Sequence, residues 1–299
     1  MRTTQPDYSE TLTEDMKQTL RLASKAFMQV IDPLLQAQFA SDGIPQRMCH
    51  YTDFAGLQGI LQTGSLWATD SRTLNDSSEQ SYGEKVVRDY LARFRSDDGP
   101  SPIETAMSTW LRPSFVTSFC TDSQVLSMWV TYAARGGGYC LEFDANSLLG
   151  CSFPPFARRL PIRITYGEQP TAQTHALLQA ASQYAQQSIE AAATAASWAS
   201  MLSLRFKHPA FRHEDEWRIV VPGSPVSELR FRAGIADIKP YIVLQPIMPD
   251  GSQRLPLKRI VFGPTLRQDS VLIETIGLML EQYGYVDVPV ESCGIPYRI

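Results

Sequence analysis

The sequence predicts an α+β fold. Short β-like runs bounded by turns recur along the chain, helical stretches stand apart from them, and no internal repeat or low-complexity linker is present. Composition agrees: 43 % of the 299 residues are apolar and 19 % charged, enough to bury a large core and to exclude a disordered chain. Length alone allows two domains, but the texture predicts a helical segment over 1–46 and one α+β domain over 47–299.

In chain order, residues 13–40 carry apolar side chains at helical spacing (Met16, Leu20, Leu22, Phe27, Val30, Ile31, Leu34, Leu35), with Thr13 placed to cap and Pro33 expected to break or kink the run. Strands are expected at 47–52, 66–69, 114–120, 138–143, 160–166, 215–221, 241–245, 258–262 and 285–290. Helices are expected at 53–63, 78–95, 103–110, 124–134 and 268–283. Residues 172–204 are rich in Ala and Gln, and the high helix propensity of alanine predicts one long inserted helix there. That helix either packs between parts of the sheet or offers a partner surface. Gly136–Gly138 lack the Lys-Ser/Thr end of a phosphate loop and run from helix to strand, so they read as a turn.

Charge and cysteine content narrow the functional classes. The net charge is −4 and the pI about 5.6, which argues against holding duplex nucleic acid by bulk charge. There is no apolar run of about 18 residues, so no membrane partner is expected. The first twenty residues lack a signal-peptide pattern. The five cysteines, at 49, 120, 140, 151 and 293, include no CxxC pair. They are expected to be reduced thiols in a cytoplasmic protein with no metal site.

Three stretches carry chemistry. His50-Tyr51-Thr52 sits on the first strand, followed by Leu74-Asn75-Asp76 and Glu79 at a helix start. Ser118 lies on a strand ahead of a helix with Met128, Trp129, Tyr132 and then Arg135. Each fits a core histidine, a helix cap or an aromatic core stripe as readily as a site. The sharpest stretch is Lys207–Val221, in which Trp217, Ile219 and Val221 alternate. That pattern predicts a strand with Glu214, Glu216 and Arg218 on its other face, the carboxylates about 7 Å apart. Such acids can divide orienting and reacting roles, or belong to a surface ion-pair ladder.

Taken in order, the motifs HYT, LWAT…LNDSSE, SF…LSMWVTYA…GYCLEF, FKHPAFRHEDEWRIVV and KRIVFGP resemble an uncharacterised bacterial domain-of-unknown-function family, over about 47–299. That family is distantly similar to ADP-ribosyltransferase-like folds. The resemblance implies a split, curved antiparallel sheet with an NAD cleft between its halves, the N-terminal helices and Ala-rich insertion being additions. It implies His50 in the early position, Ser118 in the middle, and Glu214 with Glu216 in the late one. An early His combined with Glu-x-Glu departs from both common triads of those enzymes.

On that resemblance NAD is a substrate and no metal is needed. Glu216 would stabilise the positive charge that builds on the ribose as nicotinamide leaves, and Glu214 would act as general base. His50 would hold the ribose or diphosphate through a ring N–H, with Thr52, Asn75, Ser118 and Tyr132 as further binding groups. Tyr51 or Trp129 would stack on a ring, and Arg135 or Arg218 would neutralise the diphosphate. The acceptor would be a protein or a nucleic acid. Likeness to the family further implies a toxin or phage-defence effector with an antitoxin-like partner. Alternatives are a non-catalytic nucleotide-binding or sensor module, a carboxylate–metal hydrolase or nuclease using Asp76, Glu79, Glu214 and Glu216, and a cysteine hydrolase pairing Cys49 or Cys120 with His208 or His213.

Overall fold

The computed structural model describes residues 13–74, 79–95, 99–109, 113–154, 160–223, 226–234 and 237–297. Its elements are α1 (Glu14–Asp42), β1 (Arg47–Thr52), α2 (Phe54–Thr63), β2 (Leu66–Asp70), α3 (Glu79–Leu91), α4 (Pro102–Thr109), β3 (Ser114–Phe119), α5 (Leu126–Tyr132), β4 (Tyr139–Asp144) and α6 (Ala145–Gly150). There follow β5 (Leu160–Arg163), β6 (Thr165–Tyr166), α7 (Ala172–Tyr184), α8 (Ile189–Ser203), β7 (Phe206–Lys207), β8 (Trp217–Pro222), β9 (Arg230–Ala233), β10 (Ile238–Leu244), β11 (Leu257–Phe262), α9 (Ser270–Gln282) and β12 (Val290–Ser292). The fold is α+β.

Six strands form one antiparallel sheet in the order β5-β8-β3-β2-β10-β9. Four form a second, β1-β4-β11-β12, antiparallel except for the parallel pair β11–β12. β6 and β7 make a short parallel pair. The two large sheets meet along β3. That strand pairs with β2 only at Phe115 and Val116. Just beyond its other end, Cys120 exchanges backbone hydrogen bonds of 2.8 and 2.9 Å with Cys49 of β1. The chain therefore forks, with β2 leaving β3 on one side and β1 arriving on the other. α2, capped by Asp53 accepting from Gly56 N and ended by left-handed Gly64, joins the two arms.

The alternation in each central strand feeds two cores. Phe115, Phe119, Trp217, Ile219 and Val221 pack between the large sheets with Met48, Leu141, Phe143 and Ile260. Val116, Leu160, Ile162 and Val220 face the other way, under α1, α3, α4, α7 and α8. A smaller cluster holds Cys49, Tyr51, Cys120, Met128, Trp129, Cys140 and Cys293. Among the described residues, no helix is long and apolar enough to cross a membrane.

Several expectations need correction. α1 runs unbroken through Pro33. Both Pro33 and Gln29, whose carbonyl loses the missing N–H, are exposed, so water can satisfy that carbonyl. The helix is also tied to the body: Phe27 and Ile31 enter the core, and buried Asp42 is paired by Arg205. The Ala-rich block is two helices, because Ser188 accepts from Ala191 N and starts α8 afresh. Ala191, Ala192, Ala195, Ala196 and Ala199 are buried in the helical core, so this face packs internally. The run 160–166 divides at Ile164 into β5 and β6. Of 285–290 only Val290 is in a strand. α6 and β9 were not legible in the pattern. Gly138 is a turn glycine by necessity: a Cβ there would lie 2.4 Å from Thr52 O and 2.7 Å from the Ala133 carbonyl carbon.

Candidate functional site

The two acids of the EDEW stretch do not share a strand face. Glu214 ends a 3₁₀ segment, Pro209–Glu214, and Asp215 turns the chain in the left-handed region (φ 37°) before β8 begins at Trp217. The acids are brought together instead by a cation. Buried Lys207, from β7, donates to Glu214 Oε2 at 2.5 Å and to Glu216 Oε2 at 2.9 Å. Arg218 clasps Glu216 with Nε on Oε1 (2.7 Å) and Nη2 on Oε2 (2.9 Å), and Nη1 donates to Leu204 O at 3.0 Å. Tyr132 of α5 donates to Glu214 Oε1 at 2.9 Å. Glu216 N donates to Tyr166 Oη at 2.8 Å. Each residue of the quartet Lys207, Glu214, Glu216 and Arg218 is at most 5 % exposed.

Buried charges persist when their partners balance them, and here two cations face two carboxylates. Burial alone raises the Glu216 pKa. The charges of Arg218 and Lys207 and their hydrogen bonds outweigh it and bring the carboxyl down to about 2. The surface ion-pair ladder considered from spacing is therefore an interior network.

Ser118 connects this network to the fork. It stands opposite Arg218 in the β3–β8 register, so the two side chains share a face. Its carbonyl accepts from the His50 imidazole, Nδ1 to O 3.0 Å. A carbonyl oxygen only accepts, so Nδ1 carries the proton. Burial lowers the His50 pKa, the bond to Ser118 O opposes that, and the charge of Arg232 adds to the lowering. The ring is thus neutral at pH 7, and Nε2 is an acceptor. The expected ring N–H for a diphosphate is already committed. What remains can accept from a hydroxyl donor.

Other expected residues are placed differently. Trp129 is fully buried and donates Nε1 to Ser123 O at 2.9 Å. Tyr51 packs edge-on to it with ring centroids 4.9 Å apart and donates to Asp122 O. These two rings pack edge to face in the interior beside the thiols. Arg218 is committed to Glu216. Arg135 is exposed, with φ at 56°. Thr52, the half-buried last residue of β1, lies against the first turn of α2, where a Cβ on Gly56 would strike its Oγ1. Asn75 and Asp76 lie outside the described residues, as does the side chain of Glu79.

Among the described residues, one cavity of about 380 Å³ lies beside Arg254, Leu257 and Asp287, and another of about 40 Å³ between Ser71, Glu84, Ser114 and Ser203. His50, Ser118, Glu214 and Glu216 line neither. Among the described residues, no group of three or more His, Cys, Asp or Glu side chains is arranged to hold a metal. Cys49 and Cys120 neighbour each other and Cys140. The Cys120 thiol is pushed up by its bond to Cys49 and by burial, and the Cys140 thiol by burial.

Sequence reasoning assigned no role to Lys207 or Tyr166. The available signal for Lys207 was charge balance: two acids just ahead of a core strand need cations, and Lys207 precedes Glu214 by seven residues. Tyr166 lies on a strand of two residues with no pattern to mark it.

No curated protein and no solved structure matches the chain. Residues 128–219, from α5 to β8, match the model of a family described as a protein of unknown function, DUF2971, a stretch that takes in Tyr132, Lys207 and both acids but not His50.

Proposed function

We propose that this protein cleaves NAD at the nicotinamide–ribose bond, as ADP-ribosyltransferase-like enzymes do, with the ribose held in the fork between β1 and β2. One relationship carries it. His50 and the acid cluster, 164 to 166 positions apart in the chain, converge through a single residue: Ser118 receives the imidazole through its carbonyl and stands in register with Arg218, the partner of Glu216.

In the proposed reaction the C–N bond breaks with its electron pair leaving on nicotinamide. An acceptor nucleophile, or water, bonds to the ribose carbon and loses its proton to Glu214. His50 Nε2 accepts from a ribose hydroxyl. Glu216, kept ionised by Lys207 and Arg218, stabilises the positive charge of the transition state, where such stabilisation accelerates the reaction. Turnover then requires Glu216 to exchange one of its contacts with Lys207 or Arg218 for the sugar. Consumption of a shared nucleotide would suit an effector toxin or a phage-defence protein.

The test is nicotinamide release from NAD by the wild type and by Glu216→Gln, with folding checked by melting temperature. Release by the wild type and its loss in a folded variant support the proposal; no release with protein or nucleic acid acceptors overturns it. The double clasp of Glu216 favours a second reading, a non-catalytic nucleotide-binding module in which that acid is structural. Thermal stabilisation by NAD or ADP-ribose without nicotinamide release distinguishes it.

A further inference from the structure

We propose that one face of β9, β10 and β2 binds a single-stranded nucleic acid through Arg230 and Arg232 and an aromatic pair, Trp67 and Tyr241. The role of that strand as acceptor rests on the NAD reading above; its binding does not.

Register places these groups together. Arg230 stands opposite Tyr241, Arg232 opposite Lys239, Tyr241 opposite Thr69, and Val243 opposite Trp67. Residues opposite one another in a ladder share a face. The reverse face of β10 supplies Ile242 and Leu244 to the core between the sheets. On the face in question Tyr241 and Val243 are only half-buried, and all four residues of β9 are exposed.

Charge selects the occupant. Among the described residues, neither Arg230 nor Arg232 has a carboxylate within ion-pair distance, in a chain of net charge −4. Arg232 spends one donor on Thr69 Oγ1, at 3.0 Å, and the residue is exposed. Lys239 Nζ donates to Thr73 O at 2.7 Å. Two guanidiniums at i and i+2 on an exposed strand suit successive anionic groups.

Aromatic geometry narrows the class. The rings of Trp67 and Tyr241 lie 4.7 Å apart at 31°, one strand inward from the arginines. Guanidiniums beside aromatic rings are the combination that holds single strands, because unstacked bases offer π-faces that a duplex hides. The strip leads toward the fork, where the charge of Arg232 is felt at His50.

The test is fluorescence anisotropy of a labelled single-stranded DNA of about twelve nucleotides against full-length protein, in a salt series. Arg230→Ala with Arg232→Ala should weaken binding at least tenfold and reduce the slope of log K against log salt by about 1.4, or about 0.7 for each of two phosphate contacts. Binding should quench tryptophan emission, and Trp67→Phe should remove that quench. An unchanged melting temperature of the arginine variant shows that it is folded. Equal affinity of wild type and variant, or tighter binding of a duplex or of polyglutamate than of the single strand, overturns the proposal. Nicotinamide does not enter this assay. Binding without nicotinamide release overturns only the NAD reading, and release without binding overturns only this one.

Discussion

Lys207 Nζ lies 2.5 Å from Glu214 and 2.9 Å from Glu216, so one buried ammonium holds together two acids that the turn at Asp215 would otherwise separate. Replacing Lys207 by Met leaves both carboxylates buried, Glu216 still clasped by Arg218 but Glu214 without the ammonium that balances it. The expected loss is about 3–5 kcal/mol, the usual result of breaking a buried pair from one side. Urea denaturation measures it, and adding Glu214→Gln to Lys207→Met should recover part of the loss.

Acid should unfold the protein partly through Glu216. Its pKa is about 2 in the folded protein against an ordinary 4.5. A carboxyl depressed by folding stabilises the native state fully above its unfolded value, and that contribution disappears as pH falls from about 4.5 to about 2. Stability measured across this window should fall less steeply in Glu216→Gln than in the wild type.

His50 gives a signal with its midpoint below 6.5. Burial and Arg232 disfavour the charged ring, so protonation on lowering pH opposes folding, and stability rises with pH until the unfolded value near 6.5 is passed. The imidazole resonance in a proton NMR titration should show this midpoint. In Arg232→Ala it should move upward, and an unmoved midpoint would contradict the proximity of the two groups.

The thiols should be silent. All five cysteines are buried, and burial raises the Cys140 and Cys293 thiols, which suppresses the reactive thiolate. Intact-mass measurement after native iodoacetamide treatment should show no adduct, while treatment in denaturant should show five. Rapid native labelling of Cys49 or Cys120 would reopen thiol catalysis.

Gly138→Ala should destabilise by about 1–3 kcal/mol or more, since backbone atoms surround the new Cβ and cannot move aside cheaply. Gly137→Ala meets Thr265 Oγ1 at 3.2 Å, a side chain that can rotate, and should be milder. Thermal melts of the two variants rank them.

The α+β class and the central strands were legible because side-chain period is a local property: Trp217, Ile219 and Val221 alternate whatever surrounds them. The pairing of His50 with the Ser118 carbonyl was not, since it depends on β3 changing partners, and pairing across 68 positions leaves no local trace. For the same reason Glu214 and Glu216 read as strand neighbours. Spacing shows their separation but not the left-handed Asp215 between them. Pro33 misled because propensity prices the lost hydrogen bond without knowing that Gln29 faces water. β9 is short, its four residues are all exposed, and it had no alternating pattern to reveal it.

α2 spans ten residues, about 15 Å at 1.5 Å per residue, between the end of β1 and the start of β2. It lies between the arms of the fork and sends Leu57, Ile60 and Leu61 into the core between the large sheets. Lengthening it by one turn would add about 5.4 Å between the arms and would also re-seat those core side chains, so the linker and the interior of this architecture can only change together.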